Sequence, residues 1–172
     1  IDKPAGMTSF GVVARVRRVL SQQAGKKVKV GHCGTLDPFA TGLLLLVTGT
    51  ECRNAMRYTK LDKTYEATII LGQTSTTGDP EGEIAPYVPD DAEMPIAPPS
   101  RQQLDAVLQR FTGQIRQRPP IFSAIKINGQ RAYKLARDGK EVELPERTIT
   151  IHSLEVLEYQ YPRLVIRTRV SS

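Results

Sequence analysis

Asp37 stands in the segment of this chain whose residue types best suit chemistry. The segment reads GHCGTLDPFATG and covers residues 31–42. Pro38 pushes the residue before it toward an extended backbone, so Asp37 is held on a stiffened turn. Three glycines permit backbone conformations that other residues avoid and let another chain approach closely: Gly31, Gly34 and Gly42. Asp37 could be a nucleophile or a base, but Asp before Pro is also a common turn element, which spacing alone favours.

The segment matches none of the common catalytic templates. The sequence contains no GxxxxGK[ST] phosphate loop, no GxSxG nucleophile elbow and no HExxH zinc helix. Its two cysteines, Cys33 and Cys52, and its two histidines lack the paired spacing of a zinc site. We therefore expect no metal site, and we interpret the cysteines as reduced thiols of a cytosolic protein.

Charge is unevenly distributed along the chain. The net charge is +6, and residues 3–36 contain seven Lys and Arg with no Asp or Glu. Residues 64–100 contain seven acids and no base, and residues 101–140 return to nine bases against two acids. Two interpretations stay open. The basic segments are either ordinary solvated faces or a nucleic-acid groove around Asp37.

The size and composition are typical of one globular domain. The chain has 172 residues, of which 40% are hydrophobic and 24% are charged. The longest aliphatic run, residues 43–47, is far too short to cross a bilayer, and the first residues lack the pattern of a secretory signal. We expect a cytoplasmic protein without membrane association. Because the sequence lacks an initiator Met and stops just after a strand-like run, we also expect an incompletely recorded chain.

Two amphipathic helices are predicted. Residues 9–24 place five aliphatic side chains on one stripe, and Thr8 or Ser9 can cap the start. Arg15 and Arg18 fall off that stripe, so the exposed side of this helix is cationic and both are candidates for contact with a polyanion. In residues 100–113, a Ser-x-x-Gln capping box opens the second helix and Gly113 suits the position just after its end.

Strands are predicted from alternation and from apolar runs. Residues 43–47 are predicted to be a strand buried on both faces, and residues 148–157 and 164–170 a closing antiparallel pair. Residues 73–100 hold six of the twelve prolines and are predicted to form a long, irregular, partly hairpin-like connection. The remaining predicted elements are strands at 28–30, 64–71 and 121–127, a tight turn at 128–129 and a short basic helix at 132–138.

The order of these elements indicates the fold class. Helices and strands interleave without regular βαβ spacing, which favours an α+β fold with a mixed, mostly antiparallel central sheet flanked by helices. Neither an internal repeat nor a convincing second domain is visible in the sequence. Residues 1–172 are therefore predicted to form one domain.

Four segments of the sequence resemble one known family. They are DKPAGMTS (2–9), KVGHCGTLDPFATGLL (29–44), KTYEATIILGQ (63–73) and SAIKINGQRAYKLARDG (123–139). In order and interval they are similar to the TruB family of tRNA pseudouridine synthases, and GHxGTLDPxATG is a highly specific signature. The resemblance spans almost the whole chain. It implies the pseudouridine synthase catalytic fold and isomerisation of the T-loop uridine of tRNA to pseudouridine.

The resemblance also implies roles for single residues. Asp37 matches the family's nucleophilic aspartate, and Tyr65 matches the tyrosine that stacks under the flipped base and takes part in the proton step. His32 matches the histidine that enters the space vacated by flipped nucleotides, and Asp79 matches a polar residue near them.

Further residues are implied to support the loop or to contact RNA. The expected supports behind the catalytic loop are Lys3, Pro4, Gly34 and Pro38. The expected T-arm contacts come from the segment 123–139, to which the arginines of the first helix are added: Lys126, Tyr133, Arg137, Arg15 and Arg18. Apart from the resemblance, each of these residues would pass for an ordinary surface or core residue.

The implied chemistry needs no cofactor. A uridine in a structured loop must be flipped out, which costs a few kcal/mol and requires a pocket and a group that fills the gap. Asp37 would attack the nucleoside and assist cleavage of the glycosidic bond, so that the uracil rotates and rejoins through C5. No redox or phosphoryl-transfer step occurs, so the resemblance implies neither an organic cofactor nor a metal. The expected partner is the T-arm of tRNA, and the expected state is a monomer.

The sequence departs from the family at its C-terminal side. The family carries an active-site arginine in a Gly-Thr-Tyr-Ile-Arg-type segment after a strand like residues 164–170, and this sequence ends at Ser172. We expect an incomplete fold there, without that arginine and without a PUA-type domain. Three hypotheses follow: a stand-alone tRNA pseudouridine synthase, a non-catalytic RNA-binding or tRNA-folding module, and a relative guided by a separate RNA. The stand-alone enzyme is favoured, because ATGLL and RAYKLARDG look more like that branch.

Overall fold

The computed structural model describes residues 1–89, 97–120, 126–127, 130–131 and 144–171, with the backbone alone at 126, 127 and 131. Contacts divide them into two compact units, residues 1–61 and residues 62–171. Every strand pairing within the described residues is antiparallel. Together with the helices, these pairings confirm the predicted α+β class.

The first unit combines one 15-residue helix with short strands and turns. Strand β1 pairs with β3, and β2 pairs with β4, so that the unit contains two small two-stranded sheets. Its elements in chain order are β1 (Asp2–Lys3), α1 (Ser9–Gln23), β2 (Val30–His32), β3 (Gly42–Leu43), β4 (Leu46–Thr48), a 3₁₀ turn (Gly49–Asn54) and α2 (Ala55–Thr59).

Helix α1 follows its predicted pattern. The Thr8 side chain caps the first turn by accepting the N–H of Gly11 at 3.0 Å. Val12 and Val13 are buried on the predicted stripe, whereas Val19 near the other end is 51% exposed. The helix ends at Gln23, and Gly25, with a φ of 61°, reverses the chain after it.

The prediction of one doubly buried strand over residues 43–47 is wrong. The run is divided between β3 and β4, and Leu43 is 82% exposed while Leu44 is 2% exposed. The N–H of Leu44 donates to the carbonyl of Ile1 at 2.8 Å, and the carbonyl of Leu45 accepts the N–H of Cys33 at 2.9 Å. The chain thus passes from one sheet to the other within this run, which an unbroken row of aliphatic letters does not reveal. The strand expected at 28–30 likewise begins only at its last residue, as β2.

The second unit is built on a four-stranded sheet with the order β5-β12-β11-β8. Its longest strands, β11 and β12, form the predicted closing antiparallel pair. The elements in chain order are β5 (Lys63–Ile70), β6 (Gln73–Ser75), β7 (Ile84–Pro86), α3 (Arg101–Gln109), β8 (Gly113–Gln117), β9 (Lys126–Ile127), β10 (Gln130–Arg131), β11 (Arg147–Gln160) and β12 (Arg163–Val170).

The two faces of this sheet differ in chemistry because side chains alternate along each strand. Leu164 and Ile166 of β12 are buried together with Leu104 of α3, so the helix covers this apolar face. On the alternate positions of β12, Arg163, Arg167 and Arg169 form ion pairs with acidic side chains of the same unit: Glu158, Glu66 and Asp62. These pairs are about half exposed and add little stability.

Helix α3 begins as predicted but ends differently. Ser100 and Gln103 form the expected capping box. After Gln109 the N–H groups of the next three residues bond back three positions, at 3.0–3.2 Å, and so finish the helix as a tighter turn. Gly113 is therefore not the residue after a helix end. It is the first residue of β8 and has a φ of 98°, a backbone conformation that glycine adopts easily and that lets the chain change direction there.

The predicted connection over residues 73–100 contains a short hairpin. Strands β6 and β7 pair antiparallel from Gln73↔Pro86 to Ser75↔Ile84, which agrees with the expected partial hairpin. Of the strand predicted at 121–127, only β9 falls within the described residues, and it pairs with β10. The turn predicted at 128–129 and the helix predicted at 132–138 lie outside them.

Candidate active site and nucleic-acid interface

The loop that carries Asp37 is fixed to the N-terminal segment through its backbone. The carbonyl of Pro38 accepts the N–H of Gly6 at 2.8 Å, and the carbonyl of Asp37 accepts the N–H of Ala40 at 3.1 Å. Asp37 itself is exposed. The loop therefore presents its carboxylate to solvent from a turn whose main chain is held on both sides.

Lys3 lies beneath this loop with no exposed surface. Its ammonium group donates to the carbonyls of Pro4 at 3.0 Å, Met7 at 2.7 Å and Pro38 at 3.3 Å. These three bonds use the full donor capacity of a lysine side chain. A buried cation is thus satisfied entirely by main-chain oxygens, and one of them belongs to the residue after Asp37.

Ser9 supports the loop, whereas the sequence predicts it only as a possible helix cap. Its side chain is 3% exposed, donates to the carbonyl of Leu36 at 3.0 Å and accepts the N–H of Leu36 at 2.9 Å. It therefore ties the start of α1 to the residue before Asp37. The only signal in the sequence was its place at the end of the DKPAGMTS block.

Replacing Ser9 by alanine is expected to lower the free energy of unfolding by about 2 kcal/mol, because both polar backbone groups of Leu36 lose their partner. Urea-induced unfolding measures this change. Thr50→Ala, at an exposed position of the same unit, is the control and is expected to stay within about 0.5 kcal/mol of the parent protein. Equal unfolding midpoints and slopes for Ser9→Ala and Thr50→Ala would contradict the assigned support.

The glycines of the loop divide into two kinds. Gly34 and Gly42 have φ values of 130° and 114°, a region that favours glycine, so both are required by the backbone. Gly31 is wrongly predicted to be of this kind. It lies in β2, has no positive φ, and a Cβ there would meet Val47 at an ordinary 3.8 Å.

His32 ends β2 just before the loop and is half-buried. Its Nδ1 lies within hydrogen-bonding distance of the carbonyl of Gly34. Since a carbonyl oxygen only accepts, Nδ1 carries the proton of this bond, and Nε2 is the atom left to face a ligand. The ring orientation is thus set by the same loop that carries Asp37.

The Asp37 side chain has an open environment. Within the part of the chain that the structure describes, neither a hydrogen bond nor an ion pair reaches its carboxylate. A carboxylate that the fold does not use for itself remains available to attack or to bind a substrate. This distinguishes Asp37 from a turn residue whose side chain holds the turn together.

The side chain of Asp79, in contrast, holds its own turn together. Its Oδ1 accepts the hydroxyl of Thr77 at 2.7 Å and the N–H of Glu81 at 2.9 Å. The carboxylate therefore organises the loop between β6 and β7. Any contact of Asp79 with a nucleotide stays a prediction, and it would have to use an oxygen of a side chain that already holds its own loop.

Tyr65 lies in β5 of the second unit, directly opposite Thr168 of β12. Paired residues share a face, so Tyr65 stands on the apolar face of the sheet, in line with Ile166 and Leu164. It is nevertheless 41% exposed. The residue is thus partly accessible at one end of that face. Tyr65 and Asp37 belong to different units.

The other residues predicted to contact RNA or to support the loop are only partly within the described residues. Arg15 and Arg18 are both exposed on α1. Pro4 is exposed, and its carbonyl is one of the acceptors of Lys3. Lys126 is described only as backbone, in β9, while Tyr133 and Arg137 lie outside the described residues.

Positive charge is concentrated in the first unit. Residues 1–61 contain ten Lys and Arg against three Asp and Glu. Their net charge, ten minus three or +7, exceeds the +6 of the whole chain. One of the three acids, Glu51, accepts hydrogen bonds from Tyr58 and Asn54, and the bond from Tyr58 raises the pKa of that phenol. The unit that holds Asp37 is therefore the cationic one, as a site for a polyanion requires.

The part of the chain that the structure describes contains neither a metal-ligand cluster nor a membrane-spanning helix. Among residues 1–89, 97–120, 130 and 144–171, no group of three or more His, Cys, Asp or Glu side chains is placed to hold a metal ion. In the same part of the chain, none of the helices has the length and apolarity needed to cross a bilayer.

The two cysteines are free and differ in exposure. Cys33 is buried, with 6% of its surface exposed, and Cys52 is partly exposed. Burial raises the pKa of the Cys33 thiol, and the neighbouring Cys52 and Glu51 raise it further. Because the thiolate is the reactive form, Cys33 is disfavoured as a nucleophile in the folded protein.

Iodoacetamide is therefore expected to alkylate Cys52 in the folded protein at about pH 8 and to alkylate Cys33 only after unfolding. Peptide mass spectrometry before and after addition of urea measures both rates. Equal alkylation rates for the two cysteines without urea would contradict the buried, protonated state of Cys33.

The sequence as a whole matches one protein family. Residues 17–172 match the family described as TruB family pseudouridylate synthase (N terminal domain). The match includes the Asp37 loop, α1 from its middle onward and the entire second unit.

Individual relatives agree with this match. A tRNA pseudouridine synthase B of Phocaeicola vulgatus is 44% identical over 167 residues, covering 96% of this chain and 68% of the relative. Another of Bifidobacterium longum subsp. infantis is 47% identical over 178 residues, covering 91% of this chain and 44% of the relative. The chain thus spans about half to two thirds of the length of these relatives.

A solved structure is similar as well. A chain in the crystal structure of a Cbf5-Nop10-Gar1 complex is 28% identical, with a TM-score of 0.62, over 99% of this chain and 38% of that one. The family match and the identity of the curated relatives lead to the same assignment. This chain belongs to the TruB family of pseudouridylate synthases.

Proposed function

We propose that the protein isomerises a uridine in the T-loop of tRNA to pseudouridine, with Asp37 as the nucleophile. One observation carries the proposal. Asp37 presents a carboxylate that no described residue binds, on a loop whose main chain is held by Lys3, Gly6 and Ser9. The family to which the chain belongs, and the names of its relatives, support this reaction.

The proposed reaction exchanges one bond of the nucleoside for another. The carboxylate of Asp37 attacks the nucleoside and assists cleavage of the bond between N1 and the ribose C1′. The uracil then rotates, a bond forms between C5 and C1′, and the bond between Asp37 and the nucleoside breaks, which frees the carboxylate again. The proton on C5 is lost, and N1 gains one, so atoms and electrons balance without an oxidant or reductant.

Access to the uridine requires base flipping, which costs a few kcal/mol in a structured loop. His32 is proposed to fill the vacated space, and the ring orientation set by its bond to Gly34 supports this role. Tyr65 is proposed to stack under the flipped base and to take part in the proton step. Its partial exposure on β5 leaves ring surface for stacking.

The T-arm is proposed as the segment of tRNA that is bound. The excess of Lys and Arg in the first unit supports binding to a phosphate backbone. Residues proposed to contact RNA are those named from the sequence: Arg15, Arg18, Asp79, Lys126, Tyr133 and Arg137. Action as a monomer in the cytoplasm also belongs to this proposal.

The two alternatives are less well supported. A binding module without chemistry gives no reason for an Asp37 carboxylate that no described residue binds, on a loop held by Lys3, Gly6 and Ser9. A relative guided by a separate RNA is less favoured, because the curated tRNA enzymes are more similar in sequence than the chain from the Cbf5 complex.

Release of tritium from C5-labelled uridine in a T-arm hairpin tests the function. The purified protein is expected to release tritium from this RNA and not from a matched hairpin with cytidine at the target position. Binding of the hairpin is measured in parallel. If the protein binds the hairpin but releases no tritium, the enzyme hypothesis is wrong and the binding-module hypothesis takes its place.

A further inference from the structure

A shallow concavity lies along the second half of α1, open to solvent. Its lining consists of Ala14, Arg17, Arg18, Ser21 and Lys27. Three of these five side chains are cationic and none is acidic. Since like charges placed together repel, an anion that binds between them would be stabilised there.

The backbone brings these cations together. Arg17, Arg18 and Ser21 lie on neighbouring turns of α1. The hydroxyl of Ser21 accepts the N–H of Val28 at 3.0 Å, which holds the segment after the helix against its side and places Lys27 at the concavity. This hydrogen bond holds the residue next to Lys27 against α1.

The cations of this cluster lack the carboxylate partners that the arginines of β12 have. On β12, Arg163, Arg167 and Arg169 are each paired with a carboxylate. Among the described residues, no carboxylate forms an ion pair with a cation of the concavity. The sheet arginines are neutralised within the fold, whereas the α1 cluster is not.

An exposed aromatic ring adjoins the cluster. The guanidinium of Arg17 lies over the ring of Phe10, 5.8 Å from its centroid, and Phe10 is 63% exposed. Stacked guanidinium and aromatic planes are the surfaces on which unpaired bases of RNA stack. A phosphate site beside such a surface favours RNA over a small inorganic anion.

We propose that this concavity binds a backbone phosphate of the RNA substrate, at a contact separate from the uridine. The inference rests on the proposed function and deepens it by adding Arg17, Ser21 and Lys27 to the RNA interface. Ser9 anchors the start of α1 to the Asp37 loop, and Arg18 lies nine residues further along the helix. At 1.5 Å per residue this is a rise of about 14 Å along the helix axis. Arg17, eight residues from Ser9, lies about 80° from it around the helix, so the concavity is within reach of an RNA bound at the Asp37 loop.

Lys27→Gln tests the site, with Lys26→Gln as the matched control. Both substitutions remove one positive charge from adjacent exposed lysines, but only Lys27 lines the concavity. Affinity for the T-arm hairpin and for whole tRNA is measured against salt in the Asp37→Asn background, so that binding is independent of turnover.

We expect Lys27→Gln to weaken RNA binding by about tenfold near 0.1 M salt and to reduce the slope of log K against log salt by about 0.7–0.9, the value of one phosphate contact. Lys26→Gln should change the affinity by about twofold at most. With Asp37 restored, the effect of Lys27→Gln should fall on KM rather than on kcat. Identical affinities and slopes for the two variants would overturn the proposal.

A second titration separates RNA from a free anion. Inorganic phosphate is added alone to the parent protein and to Lys27→Gln. If phosphate binds with the same dependence on Lys27 while RNA affinity is unchanged, the site serves a free anion and the inference is overturned. If tritium release fails for every variant but Lys27→Gln still weakens RNA binding, the proposed reaction fails and the phosphate site stands.

Discussion

Replacement of Asp37 by asparagine is expected to abolish uridine isomerisation while T-arm binding stays within about tenfold, or ~1.4 kcal/mol. The amide has the shape of the carboxylate but is not a nucleophile, so the covalent step is lost. The described residues form no hydrogen bond with this carboxylate, and the turn is closed through the carbonyl of Asp37 instead. Folding should therefore change by no more than about 0.5 kcal/mol.

The Asp37 prediction is checked by tritium release, hairpin binding and urea-induced unfolding on one preparation. Asp2→Asn is the matched control, since Asp2 is also an exposed carboxylate of the first unit. It removes the same charge and should leave tritium release intact. Release by Asp37→Asn at the parent rate would refute the nucleophile assignment. Loss of release together with unfolding would instead make Asp37 a structural residue.

The elements that sequence periodicity predicts best are those with one apolar face. Helix α1, β5 and the β11–β12 pair lie within a few residues of their predicted positions. The alternation of a strand and the 3.6-residue stripe of a helix depend only on residues close together in the sequence, so the sequence alone reveals them. The run 43–47 fails for the opposite reason, because five aliphatic residues in a row carry no period from which to place the break between two sheets.

In the candidate site, too, the sequence predicts local features but not the contacts between distant residues. Asp37 was identifiable because Pro38 and the family signature mark it within a few letters. The contacts that hold Asp37 in place could not be identified from the sequence. The bonds of Lys3 to Pro38 and of Ser9 to Leu36 join residues that are 35 and 27 positions apart. Spacing rules describe neighbours along a helix or strand, and these contacts follow neither. The resemblance placed Lys3 behind the loop but did not give the three carbonyls that it binds.

Lys3→Met is expected to lower the free energy of unfolding by about 2–4 kcal/mol and to reduce isomerisation strongly even where the protein remains folded. Methionine keeps most of the volume but removes three donors from a site with no exposed surface. Each buried carbonyl left unpaired costs about 1–3 kcal/mol. Three facts limit the total. Pro38 keeps its bond from Gly6, the exposed Pro4 can bond to water instead, and burial of a charge is itself unfavourable.

The activity loss follows from position rather than from stability alone. The carbonyl of Pro38 is one residue from Asp37, so its release from Lys3 lets the nucleophile shift, and displacements of about 1 Å can cost about 10²-fold in rate. Urea-induced unfolding gives the stability change, and tritium release well below the unfolding midpoint gives the rate of the folded fraction. Lys26→Met, an exposed lysine of the same unit, is the control. A folded Lys3→Met protein with parental tritium release would show that Lys3 stabilises the unit without positioning Asp37.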